Sequence, residues 1–134
     1  GGIPWAMHPD HVARLEKDKT WVTVGAGAPF KHASGMVAIG EEVWVGEEDG
    51  NKLHHFKNGA WTSETSPLPG PHGMWASSAD DVWLATNGGL AHFDGKTWSK
   101  VKGPEGPLVE VQGRDHDLWV IGKTGVWAHH GKGK

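Results

Sequence analysis

Apolar and polar residues alternate along this chain in short runs, and the runs return at a fixed spacing. The stretches IPWAM, EVWVG, DVWLA and DLWVI each set a Trp among apolar neighbours, placing Trp5, Trp44, Trp83 and Trp119 at intervals of 39, 39 and 36 residues. A second series runs in phase. KTWVTV, GAWTSE and KTWSKV place Trp21, Trp61 and Trp98 at intervals of 40 and 37 residues. Two interlocked series of one period mark an internal repeat, which outranks any element-by-element reading. After the first Trp of each unit comes HVARLEKD, KLHHFKN, GLAHFDG or GVWAHHG, and ahead of that Trp in the later units lies GMVAIG, GMWASS or LVEVQG. Each unit is thus four runs of about five residues separated by Gly, Asn, Asp or Pro, the pattern of hairpins in a β-meander. The NGG after DVWLAT and the DGK before Trp98 are the clearest turns. Helical spacing surfaces only in DHVARLEKD, where Val12, Leu15 and Glu16 share a face. That segment aligns with strands in the other units, so it too reads as strand.

A period of 36 to 40 residues with four strands per unit predicts an all-β fold, a β-propeller of four-stranded antiparallel blades packed face to face around an axis. With strands A to D named from the axis outwards, the chain reads B-C-D, A-B-C-D, A-B-C-D, A-B-C. That is about three and a half blades in a single domain over 1–134, with blade segments 1–30, 31–70, 71–107 and 108–134. Closing four units into one ring from this chain alone would leave two incomplete blades with exposed sheet edges, which invite pairing with another copy. The expected partner is therefore the chain itself, as a homodimer closing a ring of about eight blades. The rival reading is a fragment of a longer propeller.

Composition agrees with this reading and narrows the partners. The 134 residues include 21 Gly, 8 Pro and 9 Trp, which suit short strands, many turns and large apolar bodies. Net charge is −3, and the 13 Lys and Arg are scattered instead of striped, which argues against nucleic acid as a partner. No apolar run approaches the roughly 20 residues of a membrane-spanning helix, so no membrane partner is expected. The absence of Cys removes disulfides and thiolate metal sites.

DVWLATNGGLAHFDGKTW, residues 81–98, together with its sibling units, resembles the bacterial propeller repeats of two-component-regulator sensor domains. It is also similar to Trp-rich propeller repeats of secreted bacterial proteins. The resemblance covers 41–131 well and 3–24 more loosely, where Pro4 and HPDH replace the usual Gly-rich turn. It implies a propeller, binding more often than catalysis, and a periplasmic or extracellular setting. It names no ligand, because propellers host many unrelated functions.

Ten His residues are the most conspicuous candidate chemistry. Adjacent residues of a strand face opposite ways, so His54 and His55 do not share a metal unaided, and neither do His129 and His130. His55, His92 and His129 are read as equivalent positions of three units, with Leu15 in the fourth. Repetition favours packing between blades over ligand or metal contact. The acidic runs GEEDGN (Glu47, Glu48, Asp49) and RDHD (Asp115, His116, Asp117) read as solvated turns. With no phosphate loop, nucleophile elbow or dinucleotide fingerprint, no enzyme, cofactor or metal site is expected. The irregular D–A loops, GAGAPFKHASG, SPLPGPHG and KGPEGP, are stiffened by Pro and Gly and form one face of the ring together with the B–C loops. Their Phe30, His32, His72 and Glu105 are the candidate ligand-binding residues, for a small molecule, glycan or protein. Trp75 joins them because it falls outside both Trp series. Three functional readings follow. The first is a non-catalytic module that assembles and binds, the second a purely structural fragment or engineered half-propeller without a ligand. The third, placed last, is an enzyme working through channel His and carboxylates.

Overall fold

A computed structural model describes residues 3–114 and 117–130; residues 1–2, Asp115, His116, residues 131–134 and the side chains of His129 and His130 lie outside the described set. Within it are strands only, arranged as four antiparallel sheets. The first sheet holds β1 (Trp5–His8), β2 (His11–Leu15) and β3 (Trp21–Val24). The second holds β4 (Ala33–Ile39), β5 (Glu42–Glu47), β6 (Lys52–Lys57) and β7 (Ala60–Thr65). The third holds β8 (Pro71–Ser78), β9 (Asp81–Thr86), β10 (Gly89–Phe93) and β11 (Trp98–Lys100). The fourth holds β12 (Leu108–Arg114), β13 (Asp117–Gly122) and β14 (Gly125–His130). Strand order within each sheet follows chain order, so every sheet is a meander. The molecule is a partial propeller of three-, four-, four- and three-stranded blades.

Turn chemistry sets the hairpins. Asn58 and Gly59 both take positive φ, 54° and 78°, between the paired Lys57 and Ala60, as the two-residue turn that matches strand twist requires. In the turn after β9 the positive φ falls instead on Gly89, one residue past the Asn-Gly pair.

Each of the three junctions between consecutive sheets has its own apolar cluster. Val12 and Phe30 meet Val43 and Val45 between the first two sheets. Trp44 and Leu53 meet Met74, Val82, Leu84 and Phe93 between the second and third. Ala85 and Leu90 meet Leu108, Val111, Leu118 and Val120 between the third and fourth. Period-two alternation explains this division. Along β5, Val43 and Val45 face the preceding sheet while Trp44 faces the following one. Near the axis the inner strands approach closely. A Cβ on Gly35 of β4 would lie 1.8 Å from the carbonyl oxygen of His72 on β8.

Candidate functional site

The repeated His positions brace neighbouring strands within their own sheets. His55 Nε2 lies 2.7 Å from Glu42 Oε1, and its ring stacks on Trp44 at 3.7 Å. Burial lowers the His55 pKa, with nearby Glu42 opposing the shift. One blade on, His92 Nε2 lies 2.7 Å from Asp81 Oδ1 and its ring tilts against Trp83 at 4.4 Å. Burial would raise the Asp81 pKa, but Ser77, His92 and the Trp83 indole N–H all bond the carboxylate, and together they lower it.

The register corrects which residues are equivalent. Trp5 pairs with Arg14 and Trp119 pairs with Ala128, so these two residues, and not Leu15 and His129, stand where His55 and His92 stand. In the first sheet the turn from β2 to β3 is longer than its counterparts, so counting back from Trp21 lands one residue late. Arg14 plays a matching part there. Its guanidinium sits 5.7 Å from the Trp5 ring and bonds Glu41 at 2.8 Å.

On the loop face the expected ligand residues separate. Phe30 is a correction: it is 2 % exposed, edge-on to Trp61 at 5.4 Å and beside the His54 ring, so it is core and out of a ligand's reach. Its loop is pinned from below. Glu47 Oε2 accepts the backbone N–H groups of Lys31 and His32, both at 2.9 Å, and Oε1 lies 2.9 Å from His54 Nε2. His54 Nδ1 in turn lies 2.7 Å from Ser63 Oγ. Burial would raise the Glu47 pKa, but these donors outweigh it and lower it. His32 projects outward, 3.6 Å from Asp49. Trp75 is half-buried in the junction between the third and fourth sheets, pressed over Gly113.

His72 is the candidate that meets other polar groups. Its Nε2 lies 2.9 Å from Asn87 Oδ1, and the Asn87 amide donates to Glu48 Oε1 at 3.1 Å. These three border a recess of about 380 Å³ together with Lys123, Pro107 and Leu108. Glu48, Asn87 and Lys123 escape the sequence reading because each sits in a turn whose composition already has a structural explanation. Glu105 lies elsewhere. It pairs with Lys100 at 3.5 Å and borders a larger cleft of about 460 Å³ between the third and fourth sheets. Among the described residues no three His, Cys, Asp or Glu side chains converge as metal ligands. Among them, too, no helix is long and apolar enough to cross a membrane.

The largest apolar exposure is at the two end sheets. Ile3, Met7, Trp21 and Val22 lie on or just ahead of the first sheet, and Val109, Trp119, Ile121 and Val126 lie on the fourth. Trp44 and Trp119 occupy the same place in their blades, yet Trp44 is 1 % exposed and Trp119 is 37 % exposed. Trp44 is covered by Phe93 and Trp98 of the next sheet, at 5.0 and 5.3 Å. Trp21 is the first sheet's counterpart of Trp98, and it is 52 % exposed.

No family model and no curated protein matches the chain. Solved structures do, at low identity. A putative gluconolactonase aligns over 90% of this chain and 45% of its own, with 16% identity and a TM-score of 0.65. Virginiamycin B lyase from Staphylococcus aureus aligns over 91% of this chain and 49% of its own, with 16% identity and a TM-score of 0.63. The computationally designed Ika4 protein aligns over 98% of this chain and 92% of its own, with 15% identity and a TM-score of 0.61. The chain therefore spans about half the length of the two enzymes and nearly the whole length of the designed protein. At such identity the likeness is one of β-propeller fold alone.

Proposed function

We propose that the chain is a non-catalytic β-propeller assembly module, which closes a ring of eight sheets with a second copy and binds ligand on its loop face. The observation that carries this reading is that, among the described residues, the large exposed apolar side chains lie on or just ahead of the first sheet and on the fourth, while each internal junction has its own buried apolar cluster. Burying such surface contributes roughly 25 cal/mol per Å², so two complementary end faces favour association. The contact between copies repeats the pattern of the internal junctions. Trp119 of one copy packs against Leu15 and Trp21 of the other, as Trp44 packs against Phe93 and Trp98. A match to about half the length of two propeller-like enzymes supports a two-copy ring. On that ring the recess beside His72, Glu48, Asn87 and Lys123 is the ligand site, suited by its mixed polar groups to a small polar molecule or a glycan.

Light scattering on the eluting protein tests the assembly. The expected mass is about twice the 14.4 kDa of one chain at tens of micromolar, falling to a single chain on Trp119→Glu. A wild-type mass of one chain would overturn the reading.

A further inference from the structure

One position differs from blade to blade where the framework around it repeats. Glu47, Thr86 and Gly122 pair with Ala33, Pro71 and Leu108, each just before a register shift, so they are equivalent in the second, third and fourth sheets. The residues that follow them, each four beyond its unit's first Trp, are Glu48, Asn87 and Lys123. A side chain needed by the fold would repeat with the blade, as the Trp residues do. A carboxylate, an amide and an ammonium share no packing role, yet all three border one recess of about 380 Å³ beside His72. Glu48 and Lys123 come from the second and fourth sheets, with Asn87 of the third between them. Asn87 is held at both ends, its Oδ1 2.9 Å from His72 Nε2 and its amide donating to Glu48 Oε1 at 3.1 Å. That bond orients the Glu48 carboxylate, which stays half-exposed. Lys123 is exposed, and among the described residues no carboxylate pairs with it. Further along the inner strands, a second recess of about 390 Å³ shares His72 and Val109 as walls and adds all three methionines of the chain, Met7, Met36 and Met74. Methionine is unbranched and polarizable, so such a lining adapts to apolar groups of varied shape.

We infer that these adjoining recesses bind a free α-amino acid with an apolar side chain, its carboxylate on Lys123 and its ammonium on Glu48. This inference rests on the loop-face reading above and narrows that ligand to one chemical class. A fixed carboxylate and a separate unpaired ammonium suit a ligand that carries both charges, and they disfavour one that carries a single charge. Asn87 is a positioning residue, holding Glu48 in place. The ligand's side chain runs past Val109 toward the methionines.

The probe is L-leucine, titrated in the millimolar range against the intact protein and followed by saturation-transfer NMR. Saturable binding is expected. Isocaproate, which lacks the ammonium, and isoamylamine, which lacks the carboxylate, are expected to bind about tenfold or more weakly, and so is glycine, which lacks the side chain. Glu48→Gln removes the advantage of leucine over isocaproate, and Lys123→Gln removes its advantage over isoamylamine. Equal binding of leucine and either single-charge analogue by the unaltered protein overturns the proposal, as does glycine binding as tightly as leucine. D-glucose, a neutral polyol, separates this inference from the reading beneath it. If glucose binds, leucine does not, and Asn87→Ala abolishes the binding, the amino acid is rejected and the loop-face site stands. Binding of neither rejects both. The ligand series needs no altered protein, so the question is decided even if a variant fails to fold.

Discussion

Glu47 shows how one side chain shapes the loop face. Nearly buried, it accepts two backbone N–H groups from the loop before β4 and meets His54, so ionised it holds that loop against the sheet. Its pKa lies below the ordinary 4.5, so the unfolded chain takes up the proton first on acidification. The stability Glu47 contributes is full above that ordinary value and drains away as pH falls from it through the lower folded-state value. Thermal melting followed from about pH 7 down to about pH 3 checks this, because Glu47→Gln lowers the melting temperature at neutral pH and flattens the acid decline. A variant as stable as the parent at neutral pH would show that the carboxylate's charge does no such holding. The sequence signals this role only in part. GEEDGN reads as a solvated turn because charged turn residues usually are solvated, and the last residue of β5 is distinguished only by which way its side chain points. Phe30 misleads for a related reason. It lies in a loop, and loops carry ligand contacts, but an aromatic ring in a short stiff loop gains more from the adjacent core.

At the scale of strands, repetition makes the architecture readable and small differences in turn length obscure the details. Two Trp series locate the strands that carry them and hence the blades. They leave the register within a hairpin open, because a turn of two residues after β9 and one of four after β5 shift later positions relative to the Trp. A shift of one residue exchanges the two faces of a strand, so aligning Leu15 and His129 with His55 and His92 puts each one position past the true counterpart, Arg14 or Ala128, and on the opposite face. The close approach of inner strands is equally hidden, since Gly35 resembles any turn-flanking glycine until β8 is placed beside it. Gly35→Ala drives a Cβ into the His72 carbonyl and is expected to cost about 1–3 kcal/mol in chemical denaturation. Gly103→Ala, where a Cβ meets nothing and φ is not positive, is the matched comparison and is expected to be neutral or stabilising by about 0.4–1 kcal/mol. Equal losses at both positions would mean that the crossing of β4 and β8 is looser than described.

For the whole molecule, the internal junctions dictate the polarity of any ring closure. Each sheet presents its Trp44-type face forward and its Trp98-type face backward, so two copies in a ring meet head to tail at two junctions. This differs from a dimer in which like faces meet, and mixing variants separates the two. In the head-to-tail ring, Trp119→Glu damages only the forward face and Trp21→Lys only the backward face, yet each variant alone has both junctions impaired. An equimolar mixture has one junction between two unaltered faces, while the other sets an introduced carboxylate against an introduced ammonium. Each variant alone is therefore expected near the 14.4 kDa of one chain, and the mixture near twice that mass. A dimer built on paired Trp119 faces behaves otherwise: Trp21→Lys remains dimeric alone, and adding it does not bring Trp119→Glu into a dimer. Light scattering on the three samples, with the variants distinguished by mass spectrometry, separates these outcomes, and failure of the mixture to recover the doubled mass rejects head-to-tail closure.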